Sequence, residues 1–148
     1  MSMKDLYNHI KPVQAIVPVL ILDATVPAAV EIDLQGFNSA TIEISCGAKG
    51  AGDTGTITFA LTHADDDGTG VAGAYADVAA KDVLGATPAS GVILTLAGGA
   101  VAAAVHKFGY VGGKRFIKLT PAEADSNSTG TIVSATVIKG HPSDVPTL

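Results

Sequence analysis

Short runs in which apolar and polar residues alternate recur along this chain, and they constrain its fold more than any other feature. Val30 to Leu34, Ala40 to Cys46 and Thr56 to Thr62 each place an apolar side chain at every second position. A period of two sends successive side chains to opposite faces of a strand, so each run predicts a strand with one buried face. The three- or four-residue spacing of an amphipathic helix is almost absent.

Turns rich in glycine, proline or aspartate separate these runs from further extended segments. Those segments are Gln14 to Leu22, Val92 to Leu96, Val101 to Val111, Lys114 to Leu119 and Thr131 to Lys139. About eight short strands with regular turns are typical of two packed antiparallel sheets. We therefore expect an all-β protein, a single antiparallel β-sandwich that is jelly-roll-like. Pro18 cannot donate a ladder hydrogen bond, which places its strand at an edge or bends it.

The chain of 148 residues has the length of one domain. Residues 1–12 are expected to form an N-terminal arm or a short helical turn. Residues 13–142 form the predicted sandwich, and residues 143–148 a C-terminal tail. No linker and no internal repeat divides the chain.

Charge and hydropathy exclude several classes of partner. The net charge is −5, and the nine Lys and Arg residues are scattered, so we expect no nucleic-acid binding. The longest apolar run, Ala15 to Leu22, is far shorter than a membrane span and contains a proline. The first residues lack the apolar stretch of a signal peptide. We expect a soluble protein that is made in a reducing cytosol and does not bind a membrane.

No arrangement of residues predicts catalysis or a cofactor. Gly68 to Gly73 spells the dinucleotide-binding pattern G-x-G-x-x-G, but three aspartates precede it and no helical pattern follows. Gly109 to Arg115 lacks the spacing of a phosphate-binding loop, and a hairpin turn explains it better. Cys46 is the only cysteine and lies in an alternating run, which is typical of a buried, inert thiol. We expect no enzyme activity and no cofactor.

Asp65, Asp66 and Asp67 are the residues that come nearest to a metal site. Adjacent carboxylates repel one another unless they are solvated or share a cation such as calcium. The alternating aspartates of a calcium loop are missing here. We therefore expect a solvated turn and no bound metal, with these three residues as the candidates if an ion is held.

Several segments resemble small head proteins of tailed bacteriophages and prophages. They are Met3 to Leu6, Ile32 to Ala40, Gly52 to Thr54, Leu61 to Gly68 with Asp77-Val78, Gly109 to Phe116, and Val137 to Pro142. Related sequences occur in gene-transfer-agent particles. The order and spacing of these segments carry the resemblance, which spans nearly the whole chain. Ala64 and the stretch Gly70 to Ala74 depart from the pattern.

The resemblance implies a non-enzymatic virion protein, either a capsid cement or decoration protein or the base of a head spike. Its expected partners are the major capsid protein and further copies of itself, and its expected location is the outer surface of the capsid. A tail or neck component is a related possibility. The family supplies no catalytic residues.

The apolar segment near the N-terminus is the predicted interface. We expect contacts with a neighbour at Val13, Ile16, Val19 and Ile21, because arms and edge strands readily pair with a neighbour's sheet. The alternative is an ordinary strand of the chain's own sandwich.

A host-surface or carbohydrate-binding module is the competing function. β-Sandwiches often present sugar-binding loops, and sugars usually stack on exposed aromatic side chains. The chain has no Trp and three Tyr residues, of which Tyr75 lies in a predicted loop.

Overall fold

The structure, a computed structural model, describes residues 5–144, and its regular secondary structure is almost entirely β-strand. Two single 3-10 turns occur, at Tyr7–His9 and Ala80–Asp82. The strands are β1 (Ile10–Ile21), β2 (Val30–Asp33), β3 (Phe37–Cys46), β4 (Thr56–Ala64), β5 (Ala76–Asp77), β6 (Val83–Leu84), β7 (Val92–Leu96), β8 (Ala104–Tyr110), β9 (Phe116–Ala124) and β10 (Thr131–Pro142). Within the described residues, no helix has the length and apolar character needed to cross a membrane.

The strands form two antiparallel sheets of five strands each. The first sheet has the order β1-β10-β3-β8-β6, and the second has the order β2-β9-β4-β5, with β7 also paired to β4. The predicted all-β sandwich is confirmed. The strand count exceeds the expected eight because β5 and β6 are two residues long, too short for an alternating pattern to reveal them.

The longer strands pair as a nested series along the chain. β1 pairs with β10, β2 with β9, β3 with β8 and β4 with β7, all antiparallel. The two halves of the chain thus form one long hairpin whose successive pairs lie alternately in the two sheets. This winding is that of a jelly roll, as the sequence predicted.

Strand β1 is an edge strand that is irregular around Pro18. It pairs only with β10, and its register shifts twice, between Gln14 and Ile16 and between Ile16 and Val19. The second shift encloses Pro18. Because proline removes a ladder donor and bulges break pairing, both features protect an edge from further pairing. The predicted edge position and bend are confirmed.

The hydrophobic core lies between the sheets and consists of the inward half of each alternating run. The predicted inward residues Ile42, Ile44 and Cys46 of β3 are buried, as are Ile57, Phe59 and Leu61 of β4. Further core residues are Ile117 and Leu119 of β9 and Val133 and Val137 of β10. Burial raises the pKa of the Cys46 thiol to about 11, which keeps it protonated and unreactive.

Truncation of a core side chain is expected to cost much more stability than truncation on the outer surface. Ile42→Ala leaves a cavity at a fully buried site, so we expect the free energy of unfolding to fall by about 2–5 kcal/mol. Ile132→Ala, at a site with 61% exposure, should cost less than about 1 kcal/mol. Urea titration of both variants measures the difference, and equal losses would contradict the assigned facing of the strands.

Candidate functional site

The outward side of the first sheet is a strand surface with few charged side chains. Residues that lie side by side on β10, β3 and β8 form rows of mostly small or polar side chains. Examples are Ser134–Ser45–Val105 and Thr136–Glu43–Lys107. We call this surface the open face. Its outward residues are Leu20, Thr41, Glu43, Ser45, Leu84, Val105, Lys107, Ile132, Ser134, Thr136 and Ile138.

Exposed apolar side chains are concentrated on the first sheet. Among the described residues, ten large hydrophobic side chains are exposed, and five of them lie in strands of this sheet: Val17, Leu20, Leu84, Val105 and Ile132. Only Val30 lies in a strand of the second sheet. Clustered exposed apolar residues with a polar surround are typical of protein interaction surfaces.

The N-terminal 3-10 turn lies at one corner of the open face. Leu6, His9 and Ile10 line a mostly apolar depression of about 260 Å³ together with Thr41 and Ile138. Leu6 is itself strongly exposed, as is the neighbouring Tyr7. The apolar character of the open face therefore continues into the residues that precede β1.

The outer side of the second sheet is instead crossed by residues 65–75, which we call the strap. The Tyr75 hydroxyl donates to Glu31 of β2 at 2.6 Å, and the Lys118 ammonium lies 4.0 Å from the centre of the Tyr75 ring. At the other end of the strap, Lys114 pairs with Asp65 at 2.8 Å. The strap is thus fixed to the sheet at both ends.

Arg115 is the hub of the charged contacts under the strap. Its Nε and Nη2 donate to the two carboxylate oxygens of Asp33 at 2.9 and 2.7 Å, and its Nη1 donates to Asp66. Its guanidinium also lies 4.7 Å from the centre of the Phe116 ring. This fork lowers the pKa of Asp33 and raises that of Arg115, so both groups stay charged over the ordinary pH range.

The three aspartates that were the metal candidates point to separate partners. Asp65 and Asp66 pair with Lys114 and Arg115. Asp66 Oδ1 accepts from the amides of Gly68 and Gly70, and Asp67 Oδ1 accepts from the amide and hydroxyl of Thr69.

These hydrogen bonds lower the pKa of Asp66 and Asp67. In residues 5–144 no group of three or more His, Cys, Asp or Glu side chains is placed to hold a metal ion. The turn is stabilised from within the chain by amides and cations.

The four residues of the predicted interface on β1 lie in the core or against it. The side chains of Ile16 and Ile21 are 1% and 0% exposed and belong to the core. Val13 and Val19 are partly buried and pack against it. The segment is an ordinary strand of its own sandwich, and it presents Val17 and Leu20 to solvent instead.

A buried histidine–tyrosine pair lies between the sheets near the strap. His63 Nδ1 is 2.9 Å from the Tyr110 hydroxyl, and that hydroxyl accepts from the Lys114 amide at 3.2 Å. Either group can donate the bond between them, according to which ring nitrogen of His63 carries the proton. Burial lowers the pKa of His63, with Asp82 partly opposing the shift, and burial raises the pKa of Tyr110 to about 12.

Acidification should destabilise the fold through His63. Its pKa is below 6.5 in the folded state and close to 6.5 in the unfolded chain, so the unfolded state binds more protons between these values. Its contribution is complete above pH 6.5 and is lost as the pH falls through the folded pKa. We expect His63→Gln to flatten the fall in unfolding free energy between pH 7.5 and 5.5. Parallel profiles for the variant and the wild type would contradict this role.

A second buried polar cluster lies in loops of the sandwich, and no sequence pattern predicts it. Lys49 and Asp53 are both buried, and the Lys49 ammonium donates to the Asp53 carbonyl. Asp53 Oδ1 accepts from the Thr129 amide at 2.9 Å, and the buried Asn127 side chain donates to Glu123 at 3.1 Å. The cluster joins the loop after β3 to the loop between β9 and β10.

Tyr75 does not provide the open aromatic surface that the sugar-binding alternative needs. Its hydroxyl is bonded to Glu31, and Lys118 lies over its ring. Tyr110 is buried. The geometry therefore gives that alternative no support at Tyr75.

A scan against protein-family models finds no match for this chain, and a search of curated proteins finds none. The resemblance to phage head proteins accordingly stays a prediction from the sequence. What the fold adds to it is a jelly-roll sandwich with one polar, ion-paired outer side and one largely uncharged outer side.

Loss of the Arg115 fork should loosen the strap without unfolding the sandwich. Arg115→Gln removes the bonds to Asp33 and Asp66 that tie the strap to the second sheet. We expect faster amide hydrogen exchange in residues 66–75, with little change in β3 and β10. Lys107→Gln removes an exposed cation elsewhere and should leave exchange in the strap unchanged. Unchanged exchange in the Arg115 variant would show that the strap is held by other contacts.

Proposed function

We propose that this chain is a non-enzymatic structural protein of a tailed-phage virion that decorates the capsid. It binds the lattice of the major capsid protein through its open face and stabilises the assembled shell from outside. The observation that carries the proposal is the concentration of exposed apolar side chains on the first sheet, with Glu43 and Lys107 as the charged members of the open face.

The surface chemistry suits binding to a large, repeated protein lattice. Short Ser and Thr side chains between isolated Val, Leu and Ile residues allow close contact without displacing long charged groups. Such a contact is modest for one copy. On a shell, many copies and their neighbours act together, so modest contacts give strong overall attachment.

The opposite side of the molecule suits exposure to solvent. The strap covers part of the second sheet with carboxylates and cations that are already paired, including Asp33, Asp66 and Arg115. A surface whose charged side chains already form ion pairs within the molecule resists nonspecific association. In the proposed orientation the strap faces outward and the open face lies against the capsid.

Self-association belongs to the same proposal. Copies on adjacent lattice positions approach one another along their sides, where the sheet edges lie. A head-spike base would bind the shell through the same open face. Unlike a decoration protein, it would also carry a further protein on the strap side.

Reversing the apolar character of the open face should abolish capsid binding. Ile132→Lys replaces an apolar side chain, the cross-strand neighbour of Leu20, by a charged one. Because the site is exposed, folding should be retained. We expect at least a tenfold loss of co-sedimentation with shells assembled from the cognate major capsid protein.

Thr120→Lys is the matched control, since it places the same charge at an exposed, outward site of the second sheet. It should bind as the wild type does. Full binding by the Ile132 variant, or equal losses in both variants, would overturn the proposed face. Absence of binding by the folded wild-type protein would overturn the proposed function.

A further inference from the structure

The two long edges of the first sheet differ in their protection. The edge formed by β1 contains Pro12, Pro18 and two register shifts. The edge formed by β8 is covered by β6 only at Gly109 and Tyr110. The rest of β8, from Ala104 to Phe108, has no neighbouring strand on that side among the described residues.

The direction of the unpaired backbone groups follows from the bonds nearby. The Val111 amide donates to the Asp82 carbonyl, on the side away from β3. Alternate residues of a strand direct their N–H and C=O groups to the same side. The amides of Lys107 and Val105, and the Val105 carbonyl, therefore point away from β3, while Gly85 lies against the Lys107 carbonyl on the same side.

A groove runs beside this edge, between the two sheets. Gly85 to Thr87 border it on one side and Val92 to Thr95 of β7 on the other, with His106 and Phe108 of β8 also lining it; its volume is about 490 Å³. Ile93 and Phe108 are each only 6% exposed and form an apolar floor. A strand added to β8 would direct every second side chain onto this floor.

The charge at the groove restricts what can occupy it. Among the described residues, its lining contains no carboxylate. Lys107 is exposed on the adjoining edge, where its cross-strand neighbour is Glu43 of β3. Within residues 5–144, no carboxylate lies within 4.0 Å of the Lys107 ammonium. An acidic side chain on the outward side of an added strand would lie opposite Lys107.

We propose that the β8 edge binds, by strand addition, an extended segment in which apolar and acidic residues alternate. This rests on the proposed function: the segment belongs to the capsid protein on which the chain sits. Its apolar side chains enter the groove over Ile93 and Phe108, its acidic side chains face Lys107, and its backbone pairs with Val105 and Lys107. Peptides bind other sheet edges in this manner, with backbone bonds giving affinity and alternate side chains giving specificity.

The test uses capped eight-residue peptides and nuclear magnetic resonance of the full chain. The first peptide alternates Val and Glu, and the second alternates Val and Lys. With the acidic peptide we expect shifts and slowed hydrogen exchange at the Val105 and Lys107 amides. The basic peptide should bind at least tenfold more weakly, and Lys107→Glu should reverse this preference.

A matched pair of variants separates backbone pairing from side-chain contact. Val105→Pro removes an amide that points away from β3, so the ladder with β3 is retained and binding should be lost. Val105→Thr keeps the amide and should bind normally. Binding by the proline variant, or no change at Val105 and Lys107 with either peptide, would overturn the inference.

The capsid assay of Ile132→Lys distinguishes this inference from the proposed function. If Val105→Pro binds shells as the wild type does and Ile132→Lys does not, the open face stands and strand addition fails. If the peptide binds the β8 edge but the wild type does not bind shells, strand addition stands and the capsid as its source fails.

Discussion

The nested pairing of the first and second halves of the chain is the constraint on which the rest of the structure depends. β10 lies between β1 and β3, so the last strand joins the first strand to the middle of the sheet. Each pair fixes which residues face the other sheet, because a shift of one residue would turn every apolar side chain outward. Only one register between β3 and β10 buries Ile42 and Ile44 together with Val133 and Val137. The open face and the strap are consequences of that register.

The strand pattern was predictable from the sequence because burial on one face leaves an alternating record. The runs in β3 and β4 identified both the strands and their inward residues. β5 and β6 left no record, since two residues contain no period. The jelly-roll winding could be anticipated only as a class, because alternation does not encode which strands are neighbours.

On β1, the alternating pattern does not predict which side chains are buried. Ile16 and Ile21 are an odd number of positions apart, so an unbroken strand would place them on opposite faces. The irregular register around Pro18 brings both into the core. The Arg115 fork was equally beyond the sequence, because its partners Asp33 and Asp66 lie 82 and 49 residues away along the chain. Charged residues at such distances carry no local signal of their pairing.

The two outer sides of the sandwich have distinct proposed roles: the first sheet faces the shell and the strap faces solvent. The most direct measurement is a reconstruction of the intact particle at a resolution that identifies strands. We predict density for this chain on the outer surface of the head, with Ile132 and Val105 turned toward the capsid protein. Density with the strap turned toward the shell, or no density for the chain anywhere on the head, would contradict the account.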